Sequence, residues 1–237
     1  MSFYTDYAEW WPLFSPPVHY VEEAADILNR LGPLPPPGQA TLLELGAGGG
    51  SLATHFKAQF KLTLTDLSAG MLAQNRILNP EAEFCQGDMR TLRLYRQFDY
   101  VLVHDAVCCM TTVEDLRAAI ETAAVHCRPG GTVMCLPDYV KETFTIGSEE
   151  GGEDAADGRG FRYLEWRWDP DPADTIYLVD YAFMLRESNG DVCVVHDRHG
   201  ECVLPRAVWH ELFAGAGIPA TSALDEWGRD VFISRKP

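Results

Sequence analysis

The chain has 237 residues, 46% of them hydrophobic and 11% aromatic, and its 35 acidic against 19 basic side chains leave a formal net charge of −16. A chain of this mass hides roughly 70% of its unfolded surface, enough for a full hydrophobic core, and this composition excludes a disordered polymer. The charge repels nucleic-acid phosphates and anionic membrane surfaces, so neither is expected as a partner.

Ser2 to Asp6 hold no basic stretch leading into an apolar one, and no apolar run approaches the ~20 residues that cross a bilayer. A cytoplasmic protein is expected. Seven cysteines (85, 108, 109, 127, 135, 193 and 202) form an odd, scattered set, which reads as reduced thiols rather than a disulfide framework.

In chain order, an aromatic cluster comes first: Phe3, Tyr4, Tyr7, Trp10, Trp11 and Phe14. Val21, Ala24, Ala25, Leu28 and Leu31 then recur at helical spacing, and Gly32-Pro33 stops that helix. From residue 41 the pattern alternates strand and helix, as in a parallel α/β sheet. Strands are expected at 41–45, 61–65, 82–86, 100–104 and 131–136. Leu52 and Phe56 mark a first intervening helix, and Met71, Leu72, Asn75 and Leu78 a second. Val113, Leu116, Ile120, Ala123 and Cys127 mark a third, with Thr111 and Glu114 as a capping box and residues 128–131 as its stop.

After Leu136 the rhythm breaks. Residues 142–174 hold ten acids and three arginines, a local net of −7, with a glycine-rich run from Gly147 to Gly160 that reads as a solvated loop. Extended runs follow at 163–167, 175–186 and 192–199, the last two joined by an Asn189-Gly190 turn. A helix at 205–216 and a terminal strand at 231–234, paired near 220–225, complete the chain. The expected fold is α/β: a Rossmann-like, seven-stranded, mostly parallel sheet with helices on both faces, plus an antiparallel β-meander inserted after the fifth strand. It divides into a helical cap (1–40), a core (41–137 and 205–237) and an inserted roof (138–204).

The most informative stretch runs from Glu44 through Leu45, Gly46, Ala47, Gly48 and Gly49 to Gly50, where a strand turns toward a helix. Glycines let the backbone approach a ligand closely, and a helix start offers unpaired N–H groups. A strict dinucleotide fingerprint fails, because Ser51 stands at its third small-residue position. Asp66 ends the second strand, where a carboxylate can accept both ribose hydroxyls. Gly87-Asp88-Met89 follows the third strand, and Val103-His104-Asp105-Ala106 ends the fourth.

These residues resemble the class I S-adenosylmethionine (SAM)-dependent methyltransferases over about residues 40–137 and the terminal strand. The resemblance implies that Glu44, Gly46, Ala47 and Gly48 cradle the methionine and ribose part, and that Asp66 binds the ribose. It further implies Leu67 beside the adenine, and Asp88 with Met89 recognising it. Tyr20, Met71, Gly87, His104 and Asp105 complete the implied SAM-binding set. The aromatic N-terminus, Tyr163-Leu164-Glu165-Trp166, His196-Asp197-Arg198-His199 and Leu204-Pro205-Arg206 are similar to the small-molecule branch, which includes aminosugar N,N-dimethyltransferases. There the meander roofs the active site. The acidic run does not match those enzymes, so the acceptor is not carried over.

Methyl transfer from a sulfonium leaves a neutral thioether, so the protein must align nucleophile, carbon and sulfur and exclude water. A base is needed only for an acceptor that arrives protonated. His104 and His199 are the two candidates, each against a plain packing role. Cys193, His196, His199 and Cys202 alternate along one strand, so they do not converge on zinc and no metal site is expected. Cys108-Cys109 read as buried small hydrophobes. Tyr4, Tyr7, Trp10, Trp11 and Tyr20 are candidates for a lid over the sulfonium, or for plain packing. The expected function is methyl transfer to nitrogen, oxygen or carbon of a small-molecule acceptor; the alternative is a SAM-binding sensor or partner module without catalysis. The sequence sets no oligomeric state.

Overall fold

The computed structural model describes residues 3–237. Two single helical turns, α1 (Phe3–Asp6) and α2 (Trp11–Phe14), precede α3 (Val21–Leu31), which Gly32 caps. Seven strands make the larger sheet: β1 (Ala40–Leu45), β2 (Phe60–Asp66), β3 (Glu83–Gln86), β4 (Phe98–His104), β5 (Cys127–Leu136), and, defined below, β10 and β11. Between them lie α4 (Ala69–Leu78) and α5 (Val113–His126). The chain then forms a four-stranded antiparallel sheet from β6 (Gly147–Gly151), β7 (Gly160–Trp168), β8 (Ile176–Arg186) and β9 (Val192–Cys202). It returns through α6 (Arg206–Gly215) to the hairpin β10 (Thr221–Leu224) and β11 (Asp230–Arg235).

The larger sheet has the order β10-β11-β5-β4-β1-β2-β3. β1 to β5 are mutually parallel, and β11 joins β5 antiparallel. The sheet is therefore mostly parallel with antiparallel edge strands, as expected. One core fills the face under α5 and α6, around Val101, Ile120, Trp209 and Phe232; another fills the α3 face, around Ile27, Leu42, Phe56 and Leu64. Because strands buried on both faces read as continuous apolar runs, the central strands were legible. Among the described residues no helix is long and apolar enough to cross a membrane.

Four local expectations are corrected. The helix marked by Leu52 and Phe56 is only a 3-10 turn, Ala53–His55. Too few residues separate the glycine turn from β2 for a stable helix and its connection. The cap of α5 is Thr112, whose Oγ1 accepts from the backbone N–H of Asp115 at 3.1 Å, one residue later than the predicted Thr111–Glu114 box. Residues 128–131 do not stop that helix; it ends at His126, and β5 begins at once with a register shift against β4. Finally, the start of the supposed solvated loop is the edge strand β6, paired residue for residue with 163–167 of β7. Its charges suit an edge, where they blunt pairing with another chain, and Glu149 is held by Arg167 at 2.7 Å.

Candidate active site

The C-terminal ends of β1, β2 and β4, the small sheet and the N-terminal segment enclose one cavity of about 1230 Å³. At one end β1 breaks into the glycine turn. Gly46 and Ala47 N–H groups both donate to the Thr65 carbonyl, at 2.9 and 2.8 Å. Gly46 has φ +76°, and a Cβ there would lie 2.4 Å from the Ala106 Cβ, so only glycine fits. From behind, Asn75 Nδ2 donates to the Gly48 carbonyl at 3.2 Å and Asn79 Nδ2 to the Gly50 carbonyl at 3.0 Å. From the front the Trp11 ring lies on Gly49, where a Cβ would meet Cδ1 at 2.0 Å.

Asp66 accepts the Gly48 N–H at 2.9 Å and the Ser68 N–H at 2.8 Å. Burial pushes its carboxyl above the ordinary range, against the pull of those amides. Asp88 is gripped by Arg90, whose Nη2 donates to Oδ2 at 2.5 Å, and that bond holds its carboxyl low. Gly87, Met89 and Leu67 line the same end, Leu67 being 64% exposed despite its apolar side chain.

A charged network closes the β4 edge. His104 Nε2 donates to Glu23 Oε1 of α3 at 2.7 Å and stands 3.2 Å from Asp105 Oδ1. Arg229, from the β10–β11 hairpin, binds Glu23 and, at 2.8 Å, Asp225. Burial opposes a charge on His104, but Asp105 and Glu23 outweigh it and lift its pKa to about 9. Burial likewise opposes a charged Glu23, yet the His104 bond and the Arg229 charge bring it down to about 2. A histidine raised in the folded state adds stability that is full below about pH 6.5 and lost as pH rises through about 9. A lowered glutamate adds stability that is full above about 4.5 and lost as pH falls through about 2. Urea unfolding should therefore show the pair's contribution full between about pH 4.5 and 6.5. His104→Asn should remove most of the fall in stability between pH 6.5 and 9.5, on the order of 3 kcal/mol; an unchanged fall would refute the assignment.

At the other end stands the inner face of the small sheet. Register pairs Tyr163 with Phe183, Glu165 with Tyr181, Val179 with His199, and Tyr177 with Glu201, so these side chains share one face. The Tyr177 hydroxyl donates to Glu201, and the Tyr181 hydroxyl to Glu165 at 2.6 Å. His199 is stacked on Tyr181, with Nε2 3.1 Å from Glu201 Oε1 and Nδ1 3.4 Å from Asp197 Oδ1. Burial opposes its charge; the two carboxylates prevail and raise its pKa.

Tyr20, Glu44, Gly46, Ala47, Gly48, Asp66, Leu67, Gly87, Asp88, Met89, His104 and Asp105 all line the cavity. Met71 does not: it is a buried residue of α4. His199 does not line it, although its neighbours Glu201 and Tyr181 do. Of the aromatic segment, Tyr4, Trp11, Phe14 and Tyr20 line the cavity, whereas Trp10 is buried in the core under the small sheet. Cys193, His196, His199 and Cys202 are strung along the straight β9. Cys108 is buried but Cys109 is exposed, on the cavity wall. Asp138, Tyr177, Glu201 and Arg229 also line the cavity and were not foreseen. Two had a readable signal: Glu201 shares a strand face with His199, and Asp138 sits two residues past β5.

A methyltransferase-domain family profile matches residues 42–131. The dTDP-3-amino-3,4,6-trideoxy-alpha-D-glucopyranose N,N-dimethyltransferase of Streptomyces venezuelae is 36% identical over 142 residues, 59% of this chain and 60% of the relative. The crystal structure of Streptomyces venezuelae DesVI superimposes with a TM-score of 0.81 at 27% identity, covering 92% of both chains. Residues 42–131 therefore carry a methyltransferase domain. SAM-bound CalS10 of Micromonospora echinaspora, an amino pentose methyltransferase, superimposes with a TM-score of 0.76 at 25% identity over 92% of both chains. In sequence, the chain spans about 60% of the curated relative's length.

The site fits SAM, the cofactor bound in CalS10. Glu44 Oε2 and Trp11 Nε1 are buried without a hydrogen-bond partner, although both residues line the cavity. Burial pushes the Glu44 carboxyl to about 7. Such unmet polar atoms call for a ligand.

Proposed function

We propose that the protein is a SAM-dependent N-methyltransferase acting on a small-molecule amine of the aminosugar kind. The observation carrying this reading is the single cavity that joins the glycine turn, Asp66 and Asp88 to the polar inner face of the small sheet. We assign residues 1–40 as the cap, 41–137 and 205–237 as the SAM core, and 138–204 as the acceptor roof. A cytoplasmic location is in keeping with seven free cysteines.

When bound, SAM supplies an electrophilic methyl group and departs as a neutral thioether. Gly46, Ala47 and Gly48 hold its methionine part, with Glu44 accepting at the base of the turn. Asp66 takes the ribose hydroxyls, while Leu67, Gly87, Asp88 and Met89 hold the adenine. Met71 supports this edge from beneath, since its N–H donates to Ser68 Oγ at 3.1 Å. Tyr20, His104 and Asp105 close the methionine edge. Tyr4, Trp11 and Phe14 exclude water. His199 serves the proton chemistry through Glu201, its neighbour on the wall.

Transfer of a labelled methyl group from SAM to amine, alcohol and acid panels tests this reading, with amines as the expected acceptors. SAH binding without transfer to any of them would favour the sensor alternative. His199→Ala should lower kcat roughly 100-fold while calorimetric affinity for SAH stays within about twofold. Loss of SAH affinity in step with the rate would refute its role.

A further inference from the structure

The relatives named above include an enzyme whose acceptor is a dTDP-linked aminosugar, but the charge of this cavity does not suit a diphosphate. Among the described residues ten acidic side chains line it, against three arginines. Each arginine is already committed to two or more carboxylates: Arg90 to Asp88 and Asp115, Arg167 to Glu149 and Glu165, and Arg229 to Glu23, Asp225 and Asp105. No arginine of the wall is left for a diphosphate, which is recognised by freely presented guanidinium donors.

Two acids have the opposite imbalance. Asp138 Oδ and Glu201 Oε atoms lie with Cys108 Sγ within 4.8 Å of one another. The Asp138 carboxyl takes no hydrogen bond or ion pair from the described residues; only its backbone N–H is engaged, with Cys108 Sγ at 3.1 Å. Glu201 meets Tyr177 and His199 but neither arginine nor lysine. Burial, reinforced by Asp105 and Glu201, pushes the Asp138 carboxyl well above the ordinary range, a cost that a bound cation removes. Tyr177 packs with Tyr139 at 5.7 Å and Phe144 at 4.8 Å, and Tyr177 and Tyr139 line the cavity with these acids, where an aromatic ring attracts a cation.

We propose that Asp138 and Glu201 form the seat for an ammonium group of the acceptor, and that the acceptor is a multiply protonated amino sugar or aminocyclitol without phosphate. This rests on the N-methyltransferase reading. At the seat the ammonium N–H bond breaks, its electron pair stays on nitrogen, and the proton passes to a carboxylate oxygen, leaving the free amine as nucleophile.

The test compares 2-deoxystreptamine, a phosphate-free diamine, with a dTDP-linked aminosugar. The diamine should be methylated with a kcat/KM at least about tenfold higher, and it should bind the SAH-loaded protein in a calorimeter. Asp138→Asn and Glu201→Gln should each weaken that binding about tenfold, the scale of a charge-assisted hydrogen bond, with SAH affinity within about twofold as the check on folding. Preference for the dTDP-linked sugar, or unchanged diamine affinity in both variants, would overturn the seat while leaving N-methyl transfer intact. Failure to methylate either amine by a protein that still binds SAH would overturn both.

Discussion

Gly46→Ala should raise the Kd for SAH by more than about 100-fold and lower folding stability by about 3 kcal/mol. Two costs combine. At φ +76° an L side chain is forced into the left-handed region, worth about 1–2 kcal/mol. The new methyl would also stand 2.4 Å from Ala106 Cβ and 2.8 Å from Met89 Cε. Met89 can swing aside, but the Ala106 methyl is fixed to backbone at the end of β4, so the turn itself must move. Overpacking of this kind costs about 1–3 kcal/mol. A displaced turn no longer holds its N–H groups on the Thr65 carbonyl, and the cradle is lost. Gly215→Ala, with open space around its Cβ, is the control and should bind SAH normally. Calorimetry with SAH and urea unfolding of both variants decides the matter; equal behaviour of the two would refute the argument.

Asp66→Ala should weaken SAH about 100-fold, as expected for two lost charge-assisted hydrogen bonds to ribose hydroxyls. The side chain also acts before any ligand arrives, since it receives the Gly48 and Ser68 amides. Its loss leaves two N–H groups of the turn and the α4 cap without their acceptor. Asp66→Asn keeps an acceptor oxygen and should recover part of the affinity. Stability separates the two roles: a variant that folds as well as the parent but fails to bind SAH has lost only the ribose contacts. If Asp66→Ala binds SAH as tightly as the parent, the ribose assignment falls.

The cofactor end was legible in the sequence because Glu44, the glycine turn and Asp66 sit at the ends of strands announced by their own apolar runs. Leu42 to Leu45 point to Glu44 and the glycine turn, and Leu62 to Thr65 point to Asp66. The acceptor end was not, because Asp138, Tyr177, Glu201 and Arg229 converge from four separate segments. Alternation along β8 and β9 divides each strand into two faces but does not say which one is inward. Both faces carry apolar residues: Phe183 is buried, while Met184 and Val194 on the other side are 50% and 65% exposed. The edge strand β6 escaped notice because Gly147, Glu149, Glu150 and Gly151 have low strand propensity, and pairing with β7 overrides it. His199 was visible as a residue, but that it contacts Glu201 and Tyr181 without lining the cavity depends on the pairing of β8 with β9.

The N-terminal segment is fastened to both ends of the cavity. Trp11 covers Gly49, Ser51 Oγ donates to the Ser15 carbonyl at 2.5 Å, and Ser68 Oγ donates to the Tyr4 carbonyl at 2.6 Å. Meanwhile Phe3 stacks on Phe183 at 4.4 Å and Phe14 meets Tyr163 at 5.1 Å, both on the small sheet. One short segment is therefore pinned to both ends of the cavity, so a displacement of it at the glycine turn also disturbs its packing on the small sheet.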